Sequence, residues 1–169
     1  FAVASGEADV ALAVGVEKYT DQLGPLSEAS LMLSADSDFE AVQGLTPNAQ
    51  AALLMQRYLY EYNAPRQAFA GFPITAHANA ASNPHAMYRS TLNAEAYAKA
   101  GPVCDPLNMF DIAPIADGAA AVILARADIL PKGYPHTPVR ITGASMATDR
   151  LALHDRPDPL HLAAVQRSV

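Results

Sequence analysis

The 169 residues contain no tryptophan and a single cysteine, and charged side chains make up only 17% of them. One cysteine excludes an internal disulfide framework and fits a reducing compartment. Low charge combined with 51% apolar residues excludes a disordered tail and marks a core-forming chain of about one domain. Lysine and arginine number 11 against 17 acids, a net charge of -6, and they form no cluster. A nucleic-acid footprint is therefore not expected. The longest apolar run, Gly118 to Ala125, is far too short to span a bilayer. Also missing are a Gly-x-Gly-x-x-Gly turn, a phosphate-binding loop and a Gly-x-Ser-x-Gly nucleophile turn. The histidines form no i, i+4 pair beside an acid, which argues against a zinc site. No carboxylate pair stands out, so the residues by themselves display no catalytic set.

What is present is alanine, roughly a fifth of the chain, which favours helices and tight helix–sheet packing. Phe1 to Gly6 reads as the last turn of a helix with Gly6 just past its end. Val10 to Val16 is an unbroken apolar run, which predicts a strand buried on both faces of a parallel or mixed sheet. Lys18 to Gly44 predicts loop plus a short helix. Thr46-Pro47 opens a helix through Tyr62, with Ala49, Ala52, Leu53, Gln56, Leu59 and Tyr60 along one face. Pro65 opens a second short helix that Gly71 and Pro73 end. Ile74 to Ala86 is polar and turn-prone, with Asn83-Pro84 as a turn initiator. Thr91 to Ala100 reads as helix, and Pro102 to Pro114 as loop or extended chain. Gly118 to Leu124 predicts a second buried strand and Val139 to Met146 a half-buried third. Asp158-Pro159 predicts the start of a last helix.

The two buried strands are separated by about a hundred residues. Structureless loops of that length are uncommon in compact domains, so the middle reads as an inserted subdomain above one sheet. Both chain ends look cut through elements, and the expectation is an internal segment of a longer protein. Cys104, between prolines and beside Asp105, reads as a small apolar filler rather than a nucleophile. His136 lies in a proline-rich linker. His77 and His85 flank the Asn-rich turn, where either polar substrate contact or turn hydrogen bonding suits them.

Several segments, in this order, resemble the thiolase superfamily, in particular its archaeal and sterol-carrier-type acetyl-CoA acetyltransferase branch. Ser5 to Lys18 is similar to that family's strand after the nucleophile helix, ending in Gly15-Val16-Glu17. His77-Ala-Asn79-Ala-Ala-Ser-Asn83-Pro84-His85-Ala86 resembles its Asn-His-x-Asn…Asn-Pro-x-Ala loop, with Ala76 in place of the first Asn. Pro106-Leu107 followed by Ala116-Asp117-Gly118-Ala119-Ala120-Ala121 resembles its Pro-Leu…Ser-Asp-Gly-Ala-Ala-Ala motif, with Ala116 in place of Ser. The resemblance implies an α/β layered fold, represented here in part by two buried strands of one sheet and a large inserted helical loop domain. Residues 1–18 and 116–131 would end the first half of the fold. Residues 19–115 would be the loop domain, and 132–169 the linker and the start of the second half.

It also implies acyltransferase chemistry on an acyl-CoA thioester, a substrate rather than a cofactor, with no further cofactor and no metal. The setting would be cytoplasmic lipid metabolism. The nucleophilic cysteine would lie upstream of Phe1, and the oxyanion-hole histidines and second cysteine beyond Val169. Candidate substrate-lining residues in this chain are His77, Asn79, Asn83 and Tyr88. Implied partners are further copies, as a homodimer or tetramer, and a small OB-fold protein carrying a zinc ribbon. The alternative activity is that of a thiolase-like aldolase, or of a non-catalytic assembly subunit working with that zinc-ribbon partner.

Overall fold

A computed structural model describes residues 1–18 and 20–169. Tyr19, where the loop segment is expected to begin, lies outside the described residues. The elements are α1 (Ala2–Ser5), β1 (Val10–Glu17), α2 (Gly24–Leu31), α3 (Pro47–Tyr62) and α4 (Gly71–Ala80). After them come α5 (Ala94–Lys99), β2 (Pro102–Cys104), β3 (Leu107–Asn108), β4 (Gly118–Ala125) and α6 (Ala163–Ser168). They fall into two units. A ladder unit comprises Phe1–Leu23, Ile115–Asp149 and Leu162–Val169, and a helical unit comprises Gly24–Pro114 and Arg150–His161.

In the ladder unit the two apolar runs find each other across the long insertion. β1 and β4 pair antiparallel, from Val10 opposite Ala125 to Glu17 opposite Gly118. Gly6, in the left-handed region at φ 79°, ends α1 and turns the chain into β1. At one end of the ladder the Arg126 N–H donates to the Asp9 carbonyl (3.1 Å), and its guanidinium reaches the Asp9 carboxylate at 2.7 Å. At the other end Thr20 donates its N–H (3.2 Å) and its hydroxyl to the Asp117 carboxylate. The strands are not buried, contrary to the expectation from their apolar runs. Leu12 is 64% and Ile123 72% exposed, and no described residue of this unit is buried. Two strands offer two faces, and a ladder this narrow has no layer of its own to cover either one. The third strand expected at Val139 to Met146 is also absent, because that segment runs as coil without a ladder partner.

The helical unit holds the core. Thr46 caps α3 by accepting the Ala49 N–H (3.1 Å), Pro47 occupies the first turn, and Asn63 closes the helix in the left-handed region. Its inward stripe is Ala52 and Met55 with Leu59, packed on Leu107, Cys104, Phe69 and Ile112. Leu53 and Tyr60, expected on that stripe, face solvent instead. The short helix expected after Pro65 is a single 3-10 turn, Arg66–Phe69. The turn-prone reading of Ile74 to Ala86 is corrected as well, since helix α4 runs through to Ala80. Pro73 sits in its first turn, where a backbone N–H has no intrahelical partner to lose. A second cluster joins Ala70, Leu92 and Tyr97 with Ile74 and Phe110. The last helix starts at Ala163 rather than at Asp158, whose carboxylate instead accepts the Leu160 N–H (2.9 Å) in a turn. No helix is long and apolar enough to cross a membrane among the described residues.

Candidate functional site

Helix α4 carries two of the four candidates, His77 and Asn79, and the loop after it carries Asn83 and Tyr88. His77 is half-buried, and its Nδ1 lies 2.9 Å from the Ser90 carbonyl oxygen. A carbonyl offers only lone pairs, so this contact is a hydrogen bond in the tautomer that carries a proton on Nδ1. The ring also meets Phe110 edge-on, with centroids 5.8 Å apart at 85°. Asn83 accepts the His85 N–H at 2.9 Å and so shapes the turn that Asn83-Pro84 announces in the sequence. Asn79 offers its backbone carbonyl to the Ser82 hydroxyl (3.4 Å), and Tyr88 stands largely in solvent. Hydrogen bonding thus draws His77 to the strand of loop just past Tyr88.

Behind His77 lies a polar network that periodicity alone could not find. Tyr97, 5% exposed, donates its hydroxyl to Asp111 (2.9 Å). The other oxygen of Asp111 accepts the Asn108 N–H (2.9 Å), and the Asn108 side chain accepts the Phe110 N–H (2.8 Å). Burial, and then the Asp111 carboxylate, push the Tyr97 hydroxyl up to about 12. The network therefore fixes the turn that presents Phe110 to His77. The only sequence signal for it is the polar cluster around Asn108 and Asp111, inside a stretch without a period.

A cleft of about 250 Å³ opens beside the network, lined in part by Arg66, Gln67, Tyr97, Asp105 and Asn108. An Arg66–Asp105 ion pair lies among these lining residues. Cys104 is half-buried against the Ala52–Met55–Leu107 cluster, in keeping with its reading as an apolar filler. Among the described residues no group of His, Cys, Asp and Glu could hold a metal ion. The chemistry this surface offers is that of hydrogen-bond donors and acceptors on a rigid support.

Residues 1–128 match the family model for the thiolase N-terminal domain. The chain belongs to the thiolase family. It is 40% identical over 157 residues to an acetyl-CoA acetyltransferase of Methanothermobacter thermautotrophicus, covering 93% of this chain and 40% of that protein. It is 33% identical over 165 residues to an acetyl-CoA acetyltransferase of Methanocaldococcus jannaschii, covering 97% of this chain and 42% of that one. The chain thus spans about two fifths of the length of these relatives. Among solved structures it superposes on the Ltp2-ChsH2(DUF35) aldolase with a TM-score of 0.75 and 22% identity, over 96% of this chain and 43% of that one.

Proposed function

We propose that the chain is the middle of a thiolase-like acyl-CoA acyltransferase, one that joins or thiolytically cleaves a carbon–carbon bond next to a thioester. The observation that carries this reading is the identity to archaeal acetyl-CoA acetyltransferases along nearly the whole chain. In it, residues 1–18 and 116–131 end the first thiolase half, 19–115 form the loop domain, and 132–169 lead into the second half. The loop domain contributes the wall of the acyl-CoA site, with His77, Asn79, Asn83 and Tyr88 along it. The acyl-accepting thiolate and its proton-shuttling partner belong to the rest of the enzyme, where a thiol of lowered pKa and aligned oxyanion donors do the chemistry. The enzyme is cytoplasmic, serves lipid metabolism and works as a homodimer or tetramer.

A second reading is supported by the structural likeness to the Ltp2-ChsH2(DUF35) aldolase. In that reading the whole protein is a thiolase-like aldolase, or an assembly subunit, and acts with an OB-fold zinc-ribbon partner. One assay separates the two. The whole protein is given acetoacetyl-CoA and free CoA, and in parallel a 3-hydroxyacyl-CoA. Formation of acetyl-CoA from the first mixture supports the acyltransferase. Cleavage of the hydroxyacyl thioester to an aldehyde or ketone, with no thiolysis, supports the aldolase. Failure of both reactions in the presence of every CoA ester tried removes the catalytic readings together.

A further inference from the structure

We propose that residues 150–161 are a detachable strap of the helical unit, caught by the Glu40 carboxylate and able to open as one piece while the unit stays folded. The movement is independent of the acyl-CoA reading above. The strap contains neither helix nor strand. It belongs to the helical unit, although the chain up to Asp149 and again from Leu162 belongs to the ladder unit. Its backbone hydrogen bonds stay within it, from the Arg156 N–H to the Leu153 carbonyl and from the His161 N–H to the Asp158 carbonyl, each 3.2 Å. Its arginines close it on itself. The Arg150 guanidinium donates to the Asp155 carbonyl, and the Arg156 guanidinium returns to the Arg150 carbonyl at 3.3 and 3.4 Å. A segment bonded in this way can leave without breaking a helix or a ladder.

Two features hold it down. Ala152 is only 2% exposed, less than Ala52 in the core at 3%, while the adjacent Leu151 is 62% exposed. The strap thus seats a small side chain and keeps a large one outside. The second feature is the catch. Asp36 accepts the Phe39 N–H on its carboxylate (2.8 Å), and Glu40 Oε2 reaches back to accept the Asp36 N–H (3.0 Å). This reciprocal closure has the logic of a capping box and fixes the Glu40 carboxylate from within its own turn. Its other oxygen, Oε1, accepts the Leu153 N–H at 2.6 Å. One oxygen therefore builds the catch and the other holds the strap. The His154 ring adds a contact with Phe39, centroids 5.0 Å apart. A glutamine at position 40 would offer one acceptor oxygen to two N–H donors. Asp36 lies in the same turn, so Leu153 is the donor that is let go.

Native-state hydrogen exchange, read by mass spectrometry on the protein at its full native length, tests the strap. Peptides covering 151–156 should exchange at least about tenfold faster than those of α3. That rate should hold as urea rises below the unfolding transition, because opening a strap exposes little surface. In Glu40→Gln the strap should quicken by about ten- to hundredfold more, with α3 moved by less than about threefold. Ala152→Leu overpacks the seat but keeps the carboxylate, and should free the strap in the same way. It also decides the matter if Glu40→Gln does not fold. Strap exchange with the rate and urea dependence of α3 overturns the proposal, since strap and core then open together. Strap exchange that Glu40→Gln leaves untouched, or α3 exchange that quickens as much as the strap in both variants, overturns it as well.

Discussion

The ladder unit is drawn from sequence at least as apolar as that of the helical unit, yet only the second buries its apolar side chains. In the helical unit Ala52 is 3% exposed, and α3, β2 and β3 close around it. In the ladder unit Val10, Leu12, Val14 and Val16 on β1 stand as open as Val122 and Ile123 on β4. The difference is one of layers. A helix needs one partner for one stripe, and short irregular segments such as β2–β3 can supply it. A two-stranded ladder needs a layer on each face, and its outer edges need further strands. Side chains like Leu12 are each worth roughly 1.5–3 kcal/mol when fully buried. The ladder therefore holds a large unspent driving force for association.

The largest expected effect breaks this comparison directly. In this chain Met55→Ala should cost about 2–5 kcal/mol by urea unfolding, through lost transfer energy and the cavity left against Leu107. Leu12→Ala should cost under about 0.5 kcal/mol in the same chain, because its side chain is already wet. In the longer protein proposed above the Leu12→Ala cost should climb into the Met55 range as the faces become covered. A Leu12→Ala cost that stays small in that longer protein would mean the ladder remains open there, and the proposed placement of β1 and β4 inside a thiolase half would be wrong.

The same contrast explains what was legible in the sequence. Signals that act within a few residues came through intact: the Thr46 cap and Pro47 that start α3, Gly6 after α1, and the apolar runs that became β1 and β4. What failed depended on a partner. Val139 to Met146 has the alternation of a strand but no ladder partner among the described residues, and it stays coil. Polar Thr75, His77 and Asn79 masked α4, since the apolar contacts that hold it come from Ile74 against Ala70, Leu92 and Tyr97. At the candidate site His77 could be chosen from its sequence neighbourhood. Its orientation could not, because that comes from Ser90 and Phe110 farther along the chain.

An intermediate effect tests how the helical unit keeps its late segment. Glu40, 5% exposed, accepts the Asp36 N–H at 3.0 Å and the Leu153 N–H at 2.6 Å, with the His154 ring 3.8 Å away. Burial alone would raise its pKa, but these N–H donors, Gln50 and the His154 charge outweigh that and hold it below the usual value of 4.5. A depressed carboxylate contributes stability that is present above its unfolded pKa and lost as pH falls through the folded one. The contribution of Glu40 should therefore be complete above about pH 5 and fade on acidification below 4.5. Glu40→Gln should cost about 1–3 kcal/mol near neutral pH and flatten that acid limb. Hydrogen exchange should quicken at the amides of residues 150–161, the segment this carboxylate holds. Unchanged exchange there would mean that Ala152, which is buried, carries the attachment by packing alone.

The smallest expected effect returns to the ladder. Arg126 grips Asp9 and Asp128 at the end where β1 and β4 begin and finish, and these hydrogen-bonded acids raise its pKa while Asp128 is lowered in turn. All three side chains are exposed. Charges in water gain little by pairing, give up side-chain entropy to do so, and are screened at physiological salt. In this chain Arg126→Ala should leave the unfolding midpoint unchanged within error, the more so at high salt, because the Arg126 N–H to Asp9 carbonyl bond belongs to the backbone and survives the substitution. The comparison sharpens in the proposed longer protein. If the covering layer also dries this end of the ladder, the same substitution would leave Asp9 desolvated and unpaired, and a clear loss of stability should appear there alone. A loss of equal size in the chain and in the longer protein would instead place the importance of Arg126 in the ladder itself.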